Sequence, residues 1–137
     1  MQGQIIYEYG KNPVNYGRLE HPDFTYTEKN ITCGEYLTVD FILDGEQIME
    51  IGFEGDGRMV GIASMSLLSE ELEGKSFSSV ESFDRDHILN ILEIDSLTPK
   101  RMRSAMLPVL TLKNAYRTLK GEEKLEFSEV LDEEDMA

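Results

Sequence analysis

Few residues in this chain are equipped to do chemistry. Among 137 residues there are one cysteine, two histidines and seven methionines. Cys33 stands in Ile31-Thr32-Cys33-Gly34-Glu35. In an extended segment Glu35 falls on the same side as the thiol, two positions on, and Gly34 lets the backbone turn or something come close. Such a thiol reads either as a small buried hydrophobe or as a reactive sulfur. One cysteine forms no internal disulfide and excludes a zinc cage of the Cys-rich type. His21 lies beside Pro22, and His87 lies beside Asp86 early in a helical stretch. Neither has a His, Cys or carboxylate at ligand spacing, so both read as exposed or locally hydrogen-bonded. The methionines fall mostly at helical core spacing and read as packing. There is no nucleotide-binding glycine loop and no GxSxG elbow. A nucleophile–base pair that would mark a hydrolase or transferase is also missing.

The elements that must position Cys33 and Glu35 follow from the apolar pattern. Residues 3–10 form a short helix that stops before Asn12-Pro13, because the residue preceding proline avoids helical geometry. Tyr16-Gly17 then turns the chain. Residues 23–31 alternate as an edge strand. Leu37, Val39, Phe41 and Leu43 share one face of the next strand, and Met49, Ile51 and Phe53 share one face of the strand after it. Between them Asp44-Gly45 tolerates positive φ and predicts a tight antiparallel hairpin. Helical spacing resumes over 58–73, where Ala63, Ser64 and Ser66 are small enough to approach a sheet closely, and Gly74 ends it. Stretches 76–83 and 84–94 read as two more helices, with Ser78 and Asp84 as caps. Thr98-Pro99 opens a last helix to about Lys120. Its buried stripe is Met102, Ala105, Met106, Val109, Leu112, Tyr116 and Leu119, and Pro108 inside it implies a kink or a missing hydrogen bond. The sum is an α+β fold: a three-stranded antiparallel sheet with helices packed on one face.

A formal net charge of −14 argues against nucleic acid and against anionic membrane surfaces. No apolar run approaches the roughly 20 residues that span a bilayer, and the expected compartment is cytoplasmic. At 40% hydrophobic residues the chain can bury a core, which excludes wholesale disorder. The length suits one domain, 1–120, followed by an acidic tail, 121–137. The tail holds eight acids and one lysine, half of the net charge. It reads as a solvated, mobile segment; the sharper alternative is a partner-docking or self-covering segment, with Leu125, Phe127, Val130 and Leu131 as a short helical face.

Four stretches, taken in order, resemble the iron–sulfur cluster assembly scaffolds of the NifU N-terminal, IscU and SufU family. Tyr7 to Gly17 resembles its opening helix and Asn-Pro turn. Asn30 to Glu35 (NITCGE) is similar to its first-ligand loop, and Ile51 to Ser66 (IGFEGDGRMVGIASMS) to its second-ligand loop and small-residue helix. Glu73-Gly74-Lys75-Ser76 matches a Gly-Lys-Thr/Ser turn. Arg101 to Leu107 is a weaker match to the segment of the third cysteine. The resemblance spans residues 5 to 120 and implies a SufE/NifU-like fold.

That family holds zinc or a nascent iron–sulfur cluster with three cysteines and an aspartate. Carried over by position, Cys33 keeps the first cysteine and Glu35 replaces the aspartate. Arg58 replaces the second cysteine and Ser104 the third; Arg103 stands where the IscU branch has a histidine. One thiolate of three survives. A serine hydroxyl stays protonated near neutral pH, and a permanent cation repels metal, so Cys33 and Glu35 are the two remaining donors for zinc or a cluster. The sequence predicts the Arg58 guanidinium in the vacated space, facing Glu35. Two functions follow from the resemblance. One is a scaffold or metal-independent sulfur acceptor, Cys33 taking persulfide sulfur from a cysteine desulfurase, with no enzymatic turnover beyond that. The alternative is a non-catalytic interaction or regulatory module that keeps the docking surface, in which an Arg58–Glu35 bridge only plugs the old site. A homodimer is a further arrangement that would bring two Cys33 thiols together.

Overall fold

The computed structural model describes residues 3–30 and 34–136. The elements run α1 (Gln4–Lys11), β1 (Phe24–Asn30), β2 (Glu35–Asp44), β3 (Gln47–Asp56), α2 (Met59–Leu72), α3 (Arg85–Ile91) and α4 (Pro99–Lys120), with short 3-10 turns at Phe77–Ser82, Phe127–Glu129 and Glu133–Met136. The sheet is antiparallel in the order β1-β2-β3. α4 lies on β1 and β2, while α2 packs on β3, α1 and α4. Between helices and sheet sits one core that includes Val39, Phe41, Phe53, Met65, Leu68, Met102 and Met106. The architecture is the α+β arrangement read from the sequence.

Three local readings are corrected. Met49 does not face the core. Ile42 pairs with Glu50 and Leu43 with Ile48, so Met49 is the extra residue of a β-bulge. The bulge turns Met49 outward, 46% exposed, and puts Ile48 in its place at 0%. Leu119, in the last turn of α4, is also exposed. The stretch over 76–83 is a 3-10 turn flanked by Ser76, not a helix capped by Ser78. Asp84 does cap α3, accepting from the His87 N–H at 2.9 Å. His87 stacks on Phe83 and pairs with Glu71 at 2.8 Å, a local bond of the expected kind. α4 runs on through Pro108, with Thr98 before it and Gly121 at positive φ after it.

The outer sheet face is covered by the segment between α1 and β1. Asn15 and Gly17 pair with the β3 edge through Phe53, which removes an open strand edge. Arg18 and Leu19 then cross to Asp40 on β2.

The acidic tail keeps most of its residues exposed but docks at a few points. Phe127, Val130 and Leu131 are half-buried against the core. Asp135 is 1% exposed. Its carboxylate accepts from Arg85 Nε and Nη2 at 2.8 and 3.1 Å and from the Asp132 N–H at 3.0 Å. Its main-chain oxygen accepts from Arg103 at 2.7 Å. Burial pushes the Asp135 carboxyl up, but the Arg85 and Asp132 hydrogen bonds and the charges of Arg85 and Arg103 hold it below its ordinary value. A lowered carboxyl stabilises docking above about pH 4, and that contribution is lost as pH falls through the folded-state value. Asp135→Asn is therefore expected to free the tail at neutral pH. Proteolysis within 121–136 should speed about tenfold, the effect of losing roughly 1.4 kcal/mol of local docking; unchanged cleavage would show that Asp135 does not anchor the tail.

Candidate functional site

The site is built on the connection between β1 and β2. Asn30 and Glu35 pair across the two strands. The chain between them closes with Gly34, whose φ of 73° suits glycine and whose N–H donates to the Asn30 carbonyl at 2.9 Å. Cys33 belongs to this connection and lies outside the described residues. The facing ends of β1 and β2 line a depression of about 330 Å³ with Lys29, Asn30, Gly34, Glu35 and Tyr36.

Glu35 is the first residue of β2 and is 6% exposed. A buried carboxylate needs donors on its lone pairs, and three elements supply them. Oε1 accepts from Ser104 Oγ of α4 at 2.9 Å and from Asn30 Nδ2 at 3.5 Å. Oε2 accepts from the main-chain N–H of Arg58 at 3.1 Å. Arg58 is the N-cap of α2, and its carbonyl receives the first helical bonds, from Gly61 and Ile62. Glu35 thus sits against a helix N-terminus, where partial positive charge favours an anion.

The residues at the family positions divide clearly. Glu35, Arg58 and Ser104 converge. The expected guanidinium–Glu35 contact is replaced: Arg58 is an exposed residue that reaches Glu35 through its backbone amide. Among the described residues no ion pair involves its side chain. An arginine at an N-cap loses nothing by pointing outward, since water solvates it better than a closed pocket would. Arg103 donates to the tail carbonyl of Asp135.

Two further residues shape the site without a sequence motif to flag them. Asn30 is buried and supports Glu35 from the neighbouring strand. Gly61 faces Ser104: a Cβ there would stand 2.8 Å from the Ser104 carbonyl oxygen. That carbonyl is the one Pro108 cannot serve, lacking an N–H four residues on. Around the opening lie the exposed side chains Tyr16, Tyr36 and Met59. Tyr16 Oη donates to the Gly55 carbonyl, and Tyr36 pairs with Asp56 just before Arg58.

The described residues of the site do not by themselves make a metal centre. Among the described residues no three His, Cys, Asp or Glu side chains gather as a metal site. Ser104 offers a hydroxyl that stays protonated, Arg58 carries a permanent cation, and both Glu35 oxygens accept hydrogen bonds.

The family model described as NifU-like N terminal domain matches residues 1–125. The chain belongs to the NifU-like N terminal domain family. Over 82 residues this family member is 30% identical to the zinc-dependent sulfurtransferase SufU of Bacillus subtilis (strain 168), an alignment covering 60% of the chain and 55% of that relative. It is 25% identical over 134 residues to the iron–sulfur cluster assembly scaffold protein IscU of Thermotoga maritima, covering 87% of the chain and 94% of the relative. Among solved structures it is similar to a putative iron–sulfur cluster assembly scaffold protein of the SUF system from Fervidobacterium islandicum AW-1, with a TM-score of 0.67 at 26% identity over 82% of this chain and 93% of that one. A NifU-like N-terminal structure from Brucella abortus shares the fold, with a TM-score of 0.70 at 18% identity over 88% and 94%. No helix among the described residues is long and apolar enough to cross a membrane.

Proposed function

We propose that this NifU-like chain serves iron–sulfur cluster assembly as a sulfur acceptor, with Cys33 carrying the sulfur and a cysteine desulfurase donating it. The observation that carries the reading is the chain's only thiol, Cys33, in the stretch NITCGE that resembles the family's first-ligand loop; the family match over residues 1–125 supports it. Similarity to a named sulfurtransferase and to a named assembly scaffold supports it. The exposed Tyr16, Tyr36 and Met59 beside the site suit a protein partner, since aromatic residues and methionine are enriched in interfaces.

The transfer needs no net oxidant. The Cys33 thiolate attacks the outer sulfur of the donor's persulfide. The donor S–S bond breaks, its cysteine thiolate leaves with the electron pair, and Cys33 is left as the persulfide. A thiol that cycles in this way belongs in a reducing compartment, which makes the cytoplasm part of the proposal. Zinc is not a participant in this step, and cluster assembly on one chain would need thiolates that Arg58 and Ser104 do not supply.

Incubating the full chain with a cysteine desulfurase and cysteine, followed by intact-mass and peptide mass spectrometry, tests the reading. The expected result is one added sulfur on Cys33, absent in Cys33→Ser and removed by thiol reductant. An unmodified Cys33 after incubation with a desulfurase that charges its own cysteine would overturn it.

A further inference from the structure

We propose that Glu35, Ser104 and the Arg58 backbone amide form a hydrogen-bonded brace that takes the place of the family's metal, so that the fold around the site holds without zinc. The inference rests on family membership and on geometry, not on the sulfur transfer, and either can fail alone.

A metal bound at the four family positions would tie together three pieces of chain: the β1–β2 connection, the start of α2, and α4. In this protein the same three pieces are tied by one carboxylate. Glu35 belongs to the first, and its oxygens reach Ser104 on α4 at 2.9 Å and Arg58 N at the start of α2 at 3.1 Å. Asn30 adds a third tie, to β1, at 3.5 Å. The Glu35–Ser104 leg of the brace is buried, with Glu35 at 6% exposure and Ser104 at 0%.

The arrangement also opposes metal binding actively. Zinc takes four donors, and thiolates supply most of the affinity at such sites. To recruit Glu35 a metal must compete with the Ser104 and Arg58 donors already on a buried carboxylate. The substituted position that contributes the backbone amide also carries a permanent cation on its side chain. The serine supplies a donor to the carboxylate, whereas the amide at 58 would be presented by any residue but proline.

The experiment uses the full chain, zinc sulfate as probe, and thermal unfolding. After equilibration with excess zinc and desalting, the wild type is expected to retain far less than about one zinc per chain. Its melting temperature should be the same with zinc, with EDTA, or with neither. Glu35→Gln puts an amide N–H₂ against at least one donor and is expected to lower the melting temperature by about 8 °C, and Ser104→Ala by about 4 °C. Should Glu35→Gln not fold, Ser104→Ala carries the brace measurement. The double variant Arg58→Cys with Ser104→Cys restores three thiolates beside Glu35 and should bind about one zinc and melt higher with zinc than with EDTA. The proposal is overturned if the wild type keeps about one zinc that Cys33→Ser loses, if Ser104→Ala melts like the wild type, or if the folded double variant ignores zinc.

Discussion

Replacing Asp40 by alanine is expected to cost about 3 kcal/mol, roughly 10 °C in melting temperature for a domain of this size. Asp40 is 0% exposed in the middle of β2. Four donors converge on its carboxylate: Arg18 Nε at 2.7 Å and Nη2 at 3.1 Å, the Leu19 N–H at 3.0 Å, and Thr25 Oγ1 at 2.6 Å. These bonds bind the covering segment and β1 to the sheet, so alanine would release the outer face as well as leave donors unpaired. The cost sits at the low end for a broken buried ion pair because Arg18 is half-exposed and regains water. The pH dependence gives a sharper test. Burial pushes the Asp40 carboxyl up, but Arg18, Thr25 and Leu19 together outweigh it and hold the group below its ordinary value. A lowered carboxyl contributes stability above its unfolded value, and the contribution disappears as pH falls through the folded one. The urea-unfolding gap between wild type and Asp40→Ala should thus be full near pH 7 and shrink below about pH 4. A gap that stays constant on acidification would mean that the charge of Asp40 contributes nothing.

Asp40 also shows where a sequence stops being legible. Its neighbours Val39 and Phe41 declare the strand and the buried face, and Asp44-Gly45 declares the hairpin, because those signals lie within a few residues of one another. Asp84 declares the start of α3 in the same way. An acid pointing away from the helices reads as solvent-facing until Arg18, 22 positions earlier, is seen to cover it. The bulge at Met49 escapes notice because period-two alternation is equally well met by Ile51 and Phe53 with or without an extra residue before them. The tail reads as mobile because its acids outnumber its apolar residues, yet Arg85 and Arg103 supply the counter-charge from α3 and α4.

At the site the same division holds. Motif order draws attention to Glu35, Arg58 and Ser104, and hydrogen bonds join the three. How they meet was not. A side-chain contact by Arg58 is the natural guess from residue type, whereas the contact made uses an amide that every residue but proline possesses. Ser104 and Glu35 are 69 positions apart, so nothing local marks the serine as a donor to that carboxylate.

Gly61→Val is expected to open this site from behind. Helical glycine costs about 1 kcal/mol relative to alanine, so a buried glycine inside α2 implies a constraint stronger than propensity. The constraint is the approach of α4: a Cβ at 61 would lie 2.8 Å from the Ser104 carbonyl oxygen and 3.6 Å from its carbon. The opposing group is backbone and cannot rotate away, as a side chain would. Pro108 brings no N–H to that carbonyl, so the Gly61 backbone approaches where a hydrogen bond would otherwise fill the space. Valine must push α2 and α4 apart, at an overpacking cost of about 3 kcal/mol. The displaced residue is Ser104 itself, so the 2.9 Å bond to Glu35 stretches with it. Thermal unfolding should show a loss of about 10 °C for Gly61→Val. Gly61→Ala decides the cause. Helix propensity alone would make it stabilising by about 1 kcal/mol, whereas the close contact makes it destabilising, and a melting temperature above that of the wild type would remove the packing constraint from the account of this site.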